Sequence, residues 1–274
     1  MKRIATIILN RNLPAVTDRL AERFISSEGD LTDVFVVESG SQPDNLSRYC
    51  TWHADWPDAV KNGLRVPRGF NYGLAELYKD GRFAGYDCFF TLTNDTEFEE
   101  GPVLSRLLEV LDRHTRVGIL SPCSYSWGEK LLLNDKQTKY FWYVHNTAFL
   151  MRRQYIESVM DAENPDYIGI LYDGSNFRGY GAETELIAKG YANDWATAIT
   201  TAVWSEENES HLLNRADLIK TDSYDLNLKL YVEEGHRWMR KKYGFNSRWT
   251  MQLYAKFFYD NFFEINPEYR EFKI

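Results

Sequence analysis

YDCFFTLTNDTEF, residues 86 to 98, begins as an apolar, aromatic run and ends in Thr93-Asn94-Asp95-Thr96-Glu97. A short apolar run that stops at polar residues reads as a strand buried on both faces, so Asp95 stands at a strand tip. Upstream, Ile4 to Leu9 is a second run of this kind, and "PAVTDRLAERFISS" after it has helical spacing with Pro14 at the entry. Val34 to Val37 follows, stopped by Glu38-Ser39-Gly40-Ser41. Strand, helix, strand predicts a parallel βαβ unit. A short strand near Gly63 to Val66, a helix from about Asn71 to Gly81, the strand before Asp95, the helix "GPVLSRLLEVLDRH" and the strand "RVGILSPCSYS" continue the alternation to about Cys123.

In an open parallel sheet, ligands sit beyond the carboxyl ends of the strands, where loops converge. Three such ends here are polar: Asn10-Arg11-Asn12, Glu38-Ser39-Gly40-Ser41 and Asn94-Asp95-Thr96. An acid at such a tip can be partly dehydrated and face a metal bridging phosphates. Taken alone, Asn94-Asp95 fits an ordinary turn better than a ligand site.

At 274 residues, with 44% hydrophobic and 15% aromatic residues, the chain is long enough and apolar enough for one large α/β domain. The expected division is a catalytic unit over 1–205 and a helical, aromatic-rich extension over 206–274 packed on it. A net charge of −8 argues against broad nucleic-acid binding. Three scattered cysteines fit neither a disulfide framework nor a zinc site, and no apolar run near the start has the length of a signal or a membrane span. A cytoplasmic protein is therefore expected, with the aromatic tail packing on the body, on a second copy in a homo-oligomer, or at a membrane periphery. Walker, Rossmann and zinc-cluster signatures are absent from the sequence.

The ordered set "ATIILNRN", "VFVVESGSQPD", "RGFNYGLAEL", "FFTLTNDTEF", "HNTAFLMRRQYIESV" and "RGYGAETELIAKGY" resembles family 2 glycosyltransferases of the GT-A fold, over roughly residues 4 to 191. Their rhamnosyltransferase-like and polysaccharide-synthesis branches look closest. The resemblance implies a three-layer α/β/α sandwich with a mostly parallel central sheet, and transfer of a sugar from a nucleoside diphosphate donor to a glycan or other hydroxyl acceptor with inversion. It places Glu38, with Ser39, where the family binds the nucleotide base, Asn71 near the nucleotide and Arg68 near the phosphates. Asn10 joins them from its strand tip. Asp95 falls on the metal-binding acid for Mn²⁺ or Mg²⁺, Asn94 beside the donor sugar, and His211 where a histidine completes the metal set. Glu183 falls on the general base, while His145, Asn146 and Asp173 lie toward the acceptor. For four of these positions a local role is also open: Asn71 as a helix N-cap, Glu183 as a first-turn acid favoured by the helix dipole, Asp173 as a turn former and His211 as an ordinary surface histidine. Thr93 and Ala182 stand where the pattern has acids, so a non-catalytic sugar-nucleotide or glycan-binding module is the alternative from a different class.

Overall fold

A computed structural model describes residues 2–144, 148–208, 210, 223–245 and 247–274. The apolar runs are strands: β1 (Ile4–Asn10), β2 (Thr32–Glu38) and β4 (Cys88–Thr93) lie side by side and parallel, with Asn10 level with Glu38 and Leu9 level with Thr93. This register brings the three polar tips to one edge. The sheet continues through β3 (Cys50–His53) outside β2, and through β8 (Phe149–Arg152), β6 (Val117–Ser124) and β9 (Ala196–Glu207) beyond β4. β8 runs antiparallel between β4 and β6, and two short strands, β5 (Thr96–Phe98) and β7 (Thr138–Tyr140), pair antiparallel with β9. The six long-crossover strands share one direction, so the sheet is mixed but mostly parallel.

Helices cover both faces. Phe24 of α1 (Pro14–Glu28) meets Phe90 edge-on with centroids 5.8 Å apart. On the opposite face, α3 (Arg65–Lys79) presses Gly73 so close that a Cβ there would lie 2.9 Å from Ile7 and 3.1 Å from Val37. Only a glycine permits that approach. The short α2 (Pro57–Asn62) precedes α3, and α4 (Leu104–Arg113) and α5 (Arg153–Val159) continue the outer layers. α6 (Ala182–Ala192) leads to the C-terminal pair α7 (Tyr224–Tyr243) and α8 (Arg248–Ile265). α8 buries Tyr259, Phe262 and Phe263 in the main core, where Tyr191 of α6 packs edge-on against Tyr259 at 5.4 Å.

Two local expectations change. The third strand is Cys50–His53, not 63–66, because Trp52 stacks on Phe35 of β2 at 5.2 Å and draws that segment onto the sheet edge. The helix expected from Asn71 starts at Arg65, which puts Asn71 in the helix interior rather than at its cap. Among the described residues, no helix is long and apolar enough to cross a membrane.

Candidate active site

Beyond the ends of β1, β2 and β4 lies a cleft of about 430 Å³, closed on its far side by α7. Its walls include Asn10, Ser39, Asn94 and Asp95 from the polar tips, joined by Arg11, Arg65, Arg178, Glu207 and Tyr231.

The tips are tied to one another by a chain of hydrogen bonds. Asn10 Nδ2 donates to both oxygens of Glu38, at 3.0 and 2.8 Å, and its Oδ1 accepts from Asn94 Nδ2 at 2.8 Å. Asn94 also donates to Thr17 Oγ1 at 3.0 Å. Glu38 is fully buried, and its carboxylate also accepts from Ser41 Oγ at 2.5 Å and the Ser47 backbone N–H at 2.7 Å. It is absent from the cleft wall and ties the strand tips together beneath it. Ser39 stays at the wall, accepting from the Leu64 N–H at 2.6 Å.

One flank is cationic. Arg11 reaches over the Val60 carbonyl at 3.1 Å, and the space it fills exists because residue 63 is glycine: a Cβ there would lie 2.0 Å from Arg11 Nη1. Gly63 also has φ +73°, a conformation glycine adopts without strain. Burial, with Arg65 close by, lowers the Arg11 guanidinium to about 10. Its Nε and Nη1 are buried without a hydrogen-bond partner among the described residues. Arg65 holds φ 59°, a left-handed conformation that costs a non-glycine residue energy and clusters at functional sites. Arg65 and Arg178 both lie 5.8 Å from the Phe177 ring, and Arg68 lies 4.8 Å from it. Arg178 is ion-paired with Glu234, so the repulsion is between Arg11 and Arg65, and an anion relieves it.

The other flank is acidic. Asp95 sits on the turn between β4 and β5, and β5 pairs with β9 so that Thr96 is level with Glu207. That register carries Glu207 into the same cleft. Among the described residues, no cluster of three or more His, Cys, Asp or Glu is placed to hold a metal. A Mg²⁺- or Mn²⁺-sized ion needs only one or two carboxylates when phosphate oxygens and water complete its shell, and the two acids on the cleft wall are Asp95 and Glu207.

The remaining expected residues divide. Arg68 donates from Nε to the Gly174 carbonyl at 2.8 Å and is absent from the cleft wall. Asn71 is fully buried: it donates to the Tyr172 carbonyl at 2.8 Å and accepts from the Tyr172 N–H at 2.9 Å, clamping the 167–172 loop onto α3. Asp173 accepts from Lys242 Nζ at 2.6 Å, Trp238 Nε1 at 3.0 Å and Ser175 Oγ at 2.6 Å. Burial alone would raise its pKa, but these donors hold it well below the usual carboxylate range. Lys242 Nζ is also 2.6 Å from Glu185 Oε1, and the Tyr243 hydroxyl donates to the same buried carboxylate. Glu183, at the start of α6 after Gly181, lies outside this bridge and 3.9 Å from Arg248 Nη2. It is close enough to Tyr231, on the cleft wall, to raise that phenol's pKa further after burial has done so. His145, Asn146 and His211 lie outside the described residues.

Sequence reading missed Arg11, Arg65, Arg178, Glu207 and Tyr231 as wall residues. Arg11 was visible inside a polar strand tip. The other four are brought to the cleft by the start of α3, a loop, a strand register and the body of α7, none of which has a local signature.

No family model and no curated protein matches the sequence. Solved structures do match in shape. The mannosyltransferase PcManGT from Pyrobaculum calidifontis, solved with GDP-Man and Mn²⁺, superposes with a TM-score of 0.52 at 12% identity, over 85% of this chain and 68% of its own. GalNAc-T7, solved with UDP, GalNAc and Mn²⁺, superposes with a TM-score of 0.53 at 9% identity, over 89% of this chain and 57% of its own. The chain has a GT-A-like glycosyltransferase fold. At these identities the likeness is one of architecture.

Proposed function

We propose that the protein is a glycosyltransferase that moves a sugar from a nucleoside diphosphate donor to a hydroxyl acceptor, with inversion, in polysaccharide or glycan synthesis. The observation that carries this is the pairing, across one cleft at the strand tips, of two carboxylates (Asp95, Glu207) with three guanidinium groups (Arg11, Arg65, Arg178). A diphosphate satisfies both flanks at once, and few other ligands do. Both superposed glycosyltransferases were solved with Mn²⁺ and a guanosine or uridine diphosphate compound, which agrees with this reading.

In the proposed reaction, Asp95 and Glu207 would hold a divalent cation, Mn²⁺ or Mg²⁺, which when bound would supply charge neutralisation to the diphosphate leaving group. Arg11 and Arg65 take the phosphate oxygens that face away from these acids. The Glu38–Asn10–Asn94 chain keeps the floor rigid, so that binding energy goes into orientation. Glu183 accepts the proton of the attacking hydroxyl. Of the three nearby acids it is the one not joined to Lys242, which ties both Asp173 and Glu185.

The test is a thermal-shift series of UDP and GDP with and without Mn²⁺, followed by a donor-hydrolysis assay. Metal-dependent stabilisation by one nucleotide, with slow release of free sugar, is expected. Nucleotide binding with no turnover under any acceptor condition supports the binding-module alternative, and no nucleotide response at all refutes both.

A further inference from the structure

The start of α8 stands beside the start of α6. Arg248 Nη2 lies 3.9 Å from Glu183 Oε1, and farther along the same two helices Tyr259 packs on Tyr191 at 5.4 Å. The helices therefore run side by side in one direction. Arg248 is the first residue of α8, after the Ser247 cap, and no acid lies in that helix's first turn. A cation at a helix N-terminus opposes the macrodipole. Its compensation comes from Glu183, outside α8.

The guanidinium is held by aromatic rings. Its central carbon lies 4.9 Å from the Tyr143 ring and 5.3 Å from the Tyr180 ring, contacts that suit a flat, permanently charged group and fix its orientation. At 3.9 Å from Glu183 it makes an ion pair and not a hydrogen bond. Lys242, by contrast, stands 2.6 Å from both Asp173 and Glu185.

The cluster is continuous with the cleft. Tyr180 meets Tyr231, on the cleft wall, edge-on at 4.8 Å. Gly235, one turn beyond Tyr231 on α7, permits this approach, since a Cβ there would lie 2.4 Å from the Cβ of Tyr180. Tyr143, Tyr172 and Tyr231 also face Glu183, and burial raises the pKa of each phenol, so all three are neutral at physiological pH. His236 packs edge-on against Tyr180 at 5.6 Å, and Glu129 lies near Tyr143. Among these rings the Glu183 side chain is only 21% exposed. Such a setting favours the neutral acid unless a cation stands near it.

We infer that Arg248 is a positioning residue for the general base, keeping Glu183 charged and fixed beside the Tyr231 wall of the cleft. The inference rests on Glu183 being that base. In the transfer, the acceptor hydroxyl gives its proton to Glu183 and its oxygen bonds the anomeric carbon. The bond from that carbon to the diphosphate breaks, and its electron pair leaves on the phosphate oxygen. Arg248 keeps its proton throughout.

The test is hydrolysis of UDP-glucose and of GDP-mannose with Mn²⁺ as a function of pH, water taking the place of the acceptor hydroxyl. Arg248→Met should lower kcat roughly 10–100-fold with the donor KM unchanged, and move the acidic limb of the profile up by about one unit. Arg248→Lys keeps the charge and loses the flat fork, so kcat should fall without movement of the limb. It also serves if Arg248→Met melts early. Where turnover is too slow for a profile, the Glu183 carboxyl is titrated by ¹³C NMR, assigned by its loss in Glu183→Gln, and the same rise in midpoint is expected in Arg248→Met. A folded Arg248→Met with parental kcat and an unmoved limb or midpoint, beside an inactive Glu183→Gln, overturns the positioning role alone. Parental hydrolysis by Glu183→Gln overturns the base assignment and this inference with it.

Discussion

Asn10 donates its one side-chain amide group to both oxygens of Glu38, at 3.0 and 2.8 Å, in a site where neither residue is more than 1% exposed. The pair joins the tips of β1 and β2, and Asn94 extends it to β4. The floor of the cleft is thus a buried carboxylate whose hydrogen bonds come from the protein itself.

Glu38→Gln replaces an acceptor by a group that must donate into a site already full of donors. It should destabilise the fold by about 2–4 kcal/mol and weaken nucleotide binding along with it. Denaturant unfolding checks this. A change under about 0.5 kcal/mol would show that the carboxylate is not needed as an anchor.

Asp95→Asn and Glu207→Gln should each weaken Mn²⁺-dependent nucleotide binding ~10-fold or more, since both acids line the cleft. Calorimetry with and without the metal separates the two contributions. If Glu207→Gln binds as the parent does, that side chain drops out of the metal set.

Burial, with a second cation nearby, lowers the Arg11 pKa, so folding opposes its charge at neutral pH. The sign is that of a base with a depressed pKa: the unfolded chain binds more protons between about 10 and its ordinary value of 12.5, so stability rises with pH only there. At neutral pH the opposition is complete, and a bound anion relieves it. Inorganic pyrophosphate should therefore raise the melting temperature. Arg11→Met should reduce pyrophosphate affinity about tenfold while leaving the free protein as stable or more so. Equal melting shifts in both proteins would contradict this.

Lys242 bridges Asp173 and Glu185, so Lys242→Met should cost about 1–2 kcal/mol, discounted because the ammonium is about a third exposed. Burial lowers the Lys242 pKa, but the two carboxylates more than reverse it, and Asp173 is shifted down. The bridge is therefore complete above the unfolded Asp value of about 3.9 and below the unfolded Lys value of about 10.4. The stability difference between parent and variant should be flat across that window and shrink as the pH falls below it. A difference that grows in acid would reverse the assignment.

Glu183→Gln should leave nucleotide binding intact and reduce transfer by about 10²–10⁴. Asp173→Asn and Glu185→Gln should show mainly lost stability instead, since both acids hold α7 to the rest of the protein. A Glu183→Gln protein with parental transfer rates would move the base elsewhere.

The apolar runs at Ile4–Leu9, Val34–Val37 and Cys88–Leu92 were legible because strands buried on both faces need near-continuous hydrophobicity, and their polar ends mark where burial stops. That local pattern determined the α/β class, the shared edge of Asn10, Ser39, Asn94 and Asp95, and the acid at the tip. It carried no information about which of those side chains would be consumed by neighbours. Glu38, Asn71 and Asp173 are polar in sequence like any ligand-binding residue, yet their partners at Asn10, Tyr172 and Lys242 lie 28, 101 and 69 positions away. Arg65 and Glu207 enter the cleft through a left-handed turn and a strand register. Both sides of α8 carry large apolar residues in sequence, and contact with the core made one of them interior and left Trp249, Leu253 and Phe257 exposed. Sequence periodicity reports what a segment can bury, whereas long-range packing decides which polar groups are saturated and which remain to meet a ligand.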